Sequence, residues 1–235
     1  PQISAKTRRL TGAEALVRRI KPDGTIVSPI DFIPVYEKSG LISRLDRYIW
    51  EQAAAKLGEW KKVGINMSIS VNISPKDFYY IDIFNTFAGL VKKYDIEPSN
   101  LKIEITETTI MSDVPNLMGE LEELRKAGFT IEMDDFGSGY SSLNTLKDIN
   151  VDVLKVDMGF IKETKNVKKS RIILASVIKM AKELNLLIIT EGVETEEQVD
   201  NLTKLGCDVF QGYYFSKAID VNEFEKRYLY RKKAG

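Results

Sequence analysis

The sequence predicts an α/β fold: a parallel sheet covered by helices, of the size of one (β/α)8 barrel. Three observations carry this. Strand-like and helix-like stretches alternate along all 235 residues, with no low-complexity linker and no domain break, and such alternation calls for a parallel sheet with helices on it. Nearly every strand-like stretch ends at or beside a carboxylate, an amide or a lysine, and in a (β/α)8 barrel those ends converge on one mouth. A hydrophobic fraction of 43% is enough for a large core, beside an ordinary 29% of charged residues.

Leu10 to Ala15 follows the turn-like Lys6-Thr-Arg-Arg9 and reads as a strand ending near Glu14. Pro22-Asp-Gly24 is a turn, and Pro29 to Gly40 a short helix carrying Phe32, Ile33 and Val35. Leu45, Ile49, Ala53, Leu57 and Trp60 recur at helical spacing and stop before Gly64. Met67 to Val71 alternates as a strand and ends at Asn72; Ser74-Pro75 opens a helical stretch that continues through Phe84, Phe87, Leu90 and Val91 to Tyr94. Leu101 to Ile105 is the next strand, with Glu104 inside its end. Asp113 is the expected cap of a helix whose Leu117, Leu121 and Leu124 face the core and which Gly128 closes.

Phe129 to Tyr140 is the centre of the chain: a short strand, two adjacent carboxylates, Asp134 and Asp135, then a loop punctuated by Gly137 and Gly139. After it come a strand over Val151 to Val156, with Lys155 and Asp157 at its end, and a helix expected to bury Ile173, Val177, Met180 and Leu184. Leu186 to Thr190 is a strand ending at Glu191. Thr195 and Gln198 form a capping box for a helix running to Leu205, and Cys207 to Phe210 is a last short strand ending at Gln211. That makes seven strands. Eight would close a barrel, so the eighth lies before Pro1 or in a segment that does not read as a strand.

Composition removes several chemistries. Lysine plus arginine balances aspartate plus glutamate, 34 against 34, which gives no support for bulk binding of nucleic acid or an anionic membrane. The single cysteine, Cys207, rules out an intramolecular disulfide and reads as a small buried apolar residue in a reducing compartment. There is no signal peptide and no apolar run long enough to span a bilayer. The expectation is a soluble, cytoplasmic stretch without direct membrane insertion, which a larger membrane-tethered parent could still carry. No histidine is present, so Ser-His-Asp and Cys-His catalysis, histidine-bound zinc or iron, and phosphodiesterase centres built on His-Asp pairs are excluded.

Carboxylates, amides, lysine and metal remain. An Asp-Asp pair at a strand end can be no more than a solvated turn; beside a loop that can move, it also suits a divalent metal near a substrate. Glu14, Asn72, Glu104 and Asp134 offer the oxygen donors that Mg²⁺ or Mn²⁺ prefers, and Asp135, Glu191 and Glu194 could hold a second ion. So many carboxylates at one mouth would repel one another unless cations neutralised them.

Glu14-Ala-Leu16 with Val17 and Arg18 resembles the signature of the EAL domain family, phosphodiesterases of cyclic di-GMP. The resemblance continues at Asp31-Phe-Ile-Pro34 with Glu37, Gly40-Leu-Ile42, Ser70-Val-Asn72, Glu104-Ile-Thr-Glu107 and Asp134-Asp-Phe-Gly-Ser-Gly-Tyr-Ser-Ser-Leu143. It goes on through Leu154-Lys-Val-Asp157, Glu191-Gly-Val-Glu-Thr195 and Gln211-Gly-Tyr213, so it covers essentially the whole chain.

The resemblance implies a TIM-like barrel with one antiparallel strand, residues 1–235 forming a single EAL domain excised from a larger multidomain signalling protein, and hydrolysis of cyclic di-GMP to linear pGpG with two ions, Mg²⁺ or Mn²⁺. It implies that Glu14, Asn72, Glu104 and Asp134 ligate one metal. Asp134 would bridge to a second, helped by Asp135 and Glu191, while Lys155 holds the attacking water and helps to deprotonate it. Glu194 and Gln211 would support them, and Glu107 would anchor the loop from Phe136 to Ser142, which governs metal placement and dimer coupling. Leu16 and Arg18 would contact the dinucleotide, Arg18 through its fork of donors. Sensory or GGDEF domains and a second copy of the chain are the implied partners.

Departures from the family pattern are Arg19 where tryptophan is common, Tyr36 where a small residue is usual and would leave a wider substrate rim, and Ala218 for a frequent proline. The Tyr-Gln stretch that usually precedes Pro1 is absent, which points to a truncated first strand. Two other readings share these residues: a degenerate EAL domain that binds cyclic di-GMP without cutting it, and an enolase-type barrel with Lys155 as base. The enolase reading does not explain the Gly-Ser-Gly loop or Glu14-Ala-Leu16. Arg227, Arg231, Lys232 and Lys233 read as a solvated terminus, and Tyr213-Tyr-Phe215 as rim or core packing or as a surface for guanine.

Overall fold

The computed structural model describes residues 1–112, 114, 116–137, 146–159 and 167–230, the Val167 side chain excepted. The elements are β1 (Gln2–Ser4), β2 (Leu10–Glu14), β3 (Arg19–Ile20), β4 (Ile26–Val27), α1 (Pro29–Ser39), α2 (Ile42–Lys62), β5 (Ser68–Asn72), α3 (Asp77–Tyr80) and α4 (Ile83–Tyr94). They continue with β6 (Leu101–Thr106), α5 (Glu107–Met111), α6 (Leu117–Lys126), β7 (Ile131–Asp134), β8 (Val153–Asp157), α7 (Val167–Glu183), β9 (Leu187–Glu191), α8 (Glu196–Leu205), β10 (Val209–Phe210) and α9 (Val221–Phe224). Eight strands hydrogen-bond in the order β1-β10-β9-β8-β7-β6-β5-β2 as a closed barrel, and β3 and β4 pair separately. Among the described residues, no helix is long and apolar enough to cross a membrane.

The eighth strand is β1, a short segment that does not read as a strand, rather than one before Pro1. Gln2–Ser4 runs antiparallel to both neighbours, Ile3 opposite Phe210 on β10 and opposite Leu10 on β2. Among the described strands of the barrel it is therefore the antiparallel one. Three residues are too few to display an alternating pattern, which is why it does not read as a strand.

The chain divides into two compact units, Pro1–Ala13 with Glu132–Gly235, and Glu14–Ile131. In the second, β5 and β6 pair in parallel from Ile69↔Leu101 to Asn72↔Glu104. Leu101, Ile103 and Ile105 on one face and Glu104 on the other are fully buried, as a parallel strand covered on both faces requires. The helices over these strands meet in an aromatic row: Trp50 lies 4.9 Å from Phe87, and Phe87 meets Phe129 edge-on at 5.8 Å. Leu117, Leu121 and Leu124 of α6 are buried as expected. The expected cap Asp113 lies outside the described residues, and Asn116, in the left-handed region, precedes the helix. The Pro22–Gly24 turn joins β3 to β4 in a small hairpin with Arg19 opposite Val27.

In the first unit, β8 and β9 pair in parallel from Val153↔Leu187 to Asp157↔Glu191. Thr195 caps α8 and Gln198 returns the bond to the cap backbone, the expected capping box. On α7 the buried stripe is Leu174, Ile178 and Ala181, whereas Ile173 and Leu184 face solvent. The expected stripe is thus displaced by one residue, because Ile172-Ile173-Leu174 offers apolar side chains to two adjacent faces. Cys207 is buried and accepts a hydrogen bond from the Thr190 hydroxyl at 3.1 Å. Phe215 stacks on Phe210, and Tyr214 meets Phe215 edge-on, while Tyr213 and Tyr214 both keep an exposed face.

Candidate active site

Each unit gathers its own group of polar strand ends. In Glu14–Ile131 the group is Glu14, Asn72 and Glu104. Asn72 closes β5, and its side-chain amide donates to Glu14 Oε1 at 3.4 Å. Its register partner is Glu104, whose side chain is fully buried on β6. The backbone here is held from two sides: the Trp50 indole N–H donates to the Asn72 carbonyl at 2.9 Å, and the Ile73 N–H donates to the Glu104 carbonyl at 2.9 Å.

Glu107 begins α5 and is buried, behind a Thr106 cap whose hydroxyl accepts from the Thr109 N–H. The loop it is expected to anchor passes into residues 138–145, outside the described residues. Leu16 is 45% exposed. Arg18 is exposed too, and one arm of its fork donates to the Val17 carbonyl at 2.8 Å. Tyr36 packs edge-on against Phe32 at 5.7 Å within α1.

The other group centres on Lys155, fully buried on β8. Its ammonium sits 3.2 Å from Asp134 Oδ1 and 2.8 Å from Glu191 Oε1. The three come from successive strands, β7, β8 and β9, so parallel pairing sets them side by side. Asp135 has φ 56° and its N–H folds onto Asp134 Oδ1 at 2.9 Å, a conformation that aspartate tolerates better than most residues. The Phe136 N–H then reaches the Lys155 carbonyl, fixing the start of the loop on β8.

Asp157, which the sequence reading places at this strand end without assigning it a role, closes β8 level with Glu191. Its carboxylate accepts the Gly159 N–H at 2.7 Å. Its place two residues beyond Lys155, on the same side of the strand, was the available signal for a role. Glu194 lies exposed in the loop after β9, with its N–H bound to Gln198 Oε1 at 2.7 Å. Gln211 follows β10; its amide oxygen accepts from Gln2 Nε2 at 3.3 Å, and its N–H donates to the Thr190 carbonyl. Beside it, Gly212 lies so close to the β9 loop that a Cβ would come within 2.3 Å of the Val193 backbone nitrogen and oxygen.

Among the described residues, no group of three or more acidic or cysteine side chains is gathered as a ready-made metal site. The donor chemistry nevertheless fits hard divalent cations. Glu14, Asn72 and Glu104 offer only oxygen, and Asp134, Asp135, Glu191 and Asp157 add carboxylates at the ends of β7 to β9. Lys155 already satisfies part of the demand for positive charge there.

The EAL domain family pattern matches residues 1–218. The signaling protein YkoW of Bacillus subtilis is 37% identical over 226 residues, 96% of this chain and 28% of its own length. The bifunctional diguanylate cyclase/cyclic di-GMP phosphodiesterase MucR of Pseudomonas aeruginosa is 34% identical over 224 residues, 95% of this chain and 33% of its own. The chain thus spans about a third of the length of these relatives. A solved PaMucR phosphodiesterase in complex with c-di-GMP superposes with TM-score 0.88 at 34% identity, covering 95% of this chain and 91% of that one.

Proposed function

Because the chain belongs to the EAL domain family, we propose that it is a cyclic di-GMP phosphodiesterase that uses two divalent ions, Mg²⁺ or Mn²⁺, and releases linear pGpG. The observation that carries this reading is the buried Lys155 ammonium between the Asp134 and Glu191 carboxylates, at 3.2 and 2.8 Å. A binding module would gain little from burying a lysine against two acids, since desolvating the charges costs stability. Hydrolysis of an anionic diester gains from a fixed positive charge where negative charge builds up.

In this reading Glu14, Asn72, Glu104 and Asp134 hold one ion. Asp134, Asp135 and Glu191 hold the other, with Glu194 in support. When bound, such a pair of ions lowers the pKa of water and stabilises the entering and leaving oxygens. Lys155 holds the attacking water and donates to the phosphoryl oxygens, its ammonium positioned by the Asp134 and Glu191 carboxylates. Leu16 and Arg18 contact the dinucleotide, and Gln211, braced by Gln2, lines its binding site. The water oxygen forms a new P–O bond as one ester P–O bond breaks, and a proton passes to the departing ribose oxygen. Glu107 positions the loop beyond Phe136. The domain acts in the cytoplasm as part of a longer signalling chain, under sensory or GGDEF domains and as a homodimer.

The test is a cyclic di-GMP hydrolysis assay with Mg²⁺ or Mn²⁺, resolving pGpG by chromatography, beside EDTA and Asp134→Asn controls. Metal-dependent pGpG that disappears in both controls is the expected result. Saturable binding of the intact dinucleotide without product would instead make the domain a receptor.

A further inference from the structure

A second acidic pair, outside the site described above, lies between α2 and α3. Asp77, the first residue of α3, is fully buried. Its Oδ2 accepts the Ser74 N–H at 2.8 Å. Among the described residues, its Oδ1 receives no N–H or O–H donor, and the carboxyl group of Asp46 on α2 lies beside the Asp77 side chain. Two ionised carboxylates in that position would be acceptors only, with their charges opposed in a poorly hydrated place. A proton held between them supplies the missing donor and removes one charge.

We infer that Asp46 and Asp77 share a single proton in the folded protein, in a carboxyl–carboxylate hydrogen bond that ties α2 to the head of α3. The surroundings favour it. The charged groups facing Asp46 are Asp77 of α3 and Glu37 of α1, both acidic. The Lys76 ammonium turns to the Glu37 backbone carbonyl, Lys93 of α4 pairs with Glu51 further along α2, and β5 carries no ionisable side chain. Burial first, then the Asp77 charge, push the Asp46 carboxyl up to about 9.

The pair braces a short segment. Trp50 holds the Asn72 carbonyl, Asp77 holds the Ser74 N–H, and Asp46 and Trp50 are both on α2. One helix thus fixes Asn72 to Asp77 at both ends. The inference does not depend on the phosphodiesterase reading, because its tests measure a proton and a fold rather than turnover.

A group whose folded pKa is raised keeps its proton after the unfolded chain has released it. From this pair, stability therefore falls as pH rises from the ordinary carboxyl value of 3.8 to about 9, and levels off above. Within that window one proton changes the unfolding equilibrium constant about tenfold per pH unit. Infrared spectroscopy of the chain labelled with ¹³C at its aspartate carboxyls should show one protonated carboxyl band at pH 7. The band should be absent from Asp46→Asn and should fade from the unsubstituted protein near pH 9. The carboxamide introduced by Asp46→Asn would donate to Asp77 without a titrating proton, so the unfolding constant of this variant should lose about one tenfold step per pH unit between pH 5 and 9. Absence of the band at pH 7, or an unchanged slope in Asp46→Asn, overturns the inference. Should that variant not fold, the band of the unsubstituted protein, compared at pH 7 and pH 10, decides alone.

Discussion

Replacing Lys155 with methionine keeps most of the side-chain volume and removes the charge. The structure sets the expected cost. The ammonium is fully buried, 2.8 and 3.2 Å from two carboxylates whose side chains are 19% and 13% exposed. Removing one partner of a buried ion pair costs roughly 3–5 kcal/mol, because it leaves uncompensated charge behind. Partial access of water to Asp134 and Glu191 relieves some of that, which puts the expectation at the lower end, about 3 kcal/mol. For a chain of this length each kcal/mol moves the melting temperature by roughly 2–4 °C, so Lys155→Met should melt about 6–12 °C lower in EDTA. Divalent metal should recover part of the loss if the two carboxylates are ligands, since binding only the folded state stabilises it. Turnover should fall about 10²–10³-fold, the usual cost of one preorganised donor to a developing charge. The assays are thermal melts with EDTA and with Mn²⁺, and pGpG formation. A melting temperature within about 1 °C of the unsubstituted protein in EDTA would refute the electrostatic argument, and turnover within tenfold would refute the catalytic role.

Two further outcomes can be checked. Gly212→Ala places a Cβ 2.3 Å from the Val193 backbone nitrogen and oxygen, neither of which can swing aside. A loss of about 1–3 kcal/mol is expected in urea denaturation, typical of overpacking, and an unchanged midpoint would show that the two loops separate easily. The Cys207 thiol is pushed up to about 11, chiefly by burial, so almost none of it is thiolate at pH 8. Iodoacetamide should leave the native protein unmodified at that pH and label it rapidly in denaturant; prompt native labelling, read by intact mass, would contradict the buried environment.

Most of the barrel and its polar strand ends were legible because parallel strands buried on both faces carry long apolar runs that stop at a charge. Glu104, Lys155 and Glu191 stand out where such runs are interrupted. What was not legible depends on tertiary pairing. β1 is too short to show a period, and β3 and β4 read only as the turn between them. On α7 the run Ile172-Ile173-Leu174 supports two faces, and only packing chooses Leu174. Asp46 and Asp77 look like ordinary surface acids in sequence, and nothing local marks them as neighbours. Asp113, Ser138 to Leu143 and Arg231 to Lys233 lie outside the described residues.

The antiparallel strand also bears on how the domain is made. Ile3 pairs with Phe210, and Ser4 with Val209. The seam that closes the sheet therefore joins stretches more than two hundred positions apart, and contacts of such separation form late because the intervening chain must be ordered first. On the ribosome, Gln2–Ser4 can pair with Leu10–Gly12 early but must wait for β10 to emerge before its other edge is covered. Until then both rims of a growing sheet stand open to neighbouring chains. Synthesis of this domain thus has its greatest exposure to aggregation just before β10 appears, and slowing translation immediately ahead of that strand should lower the soluble yield.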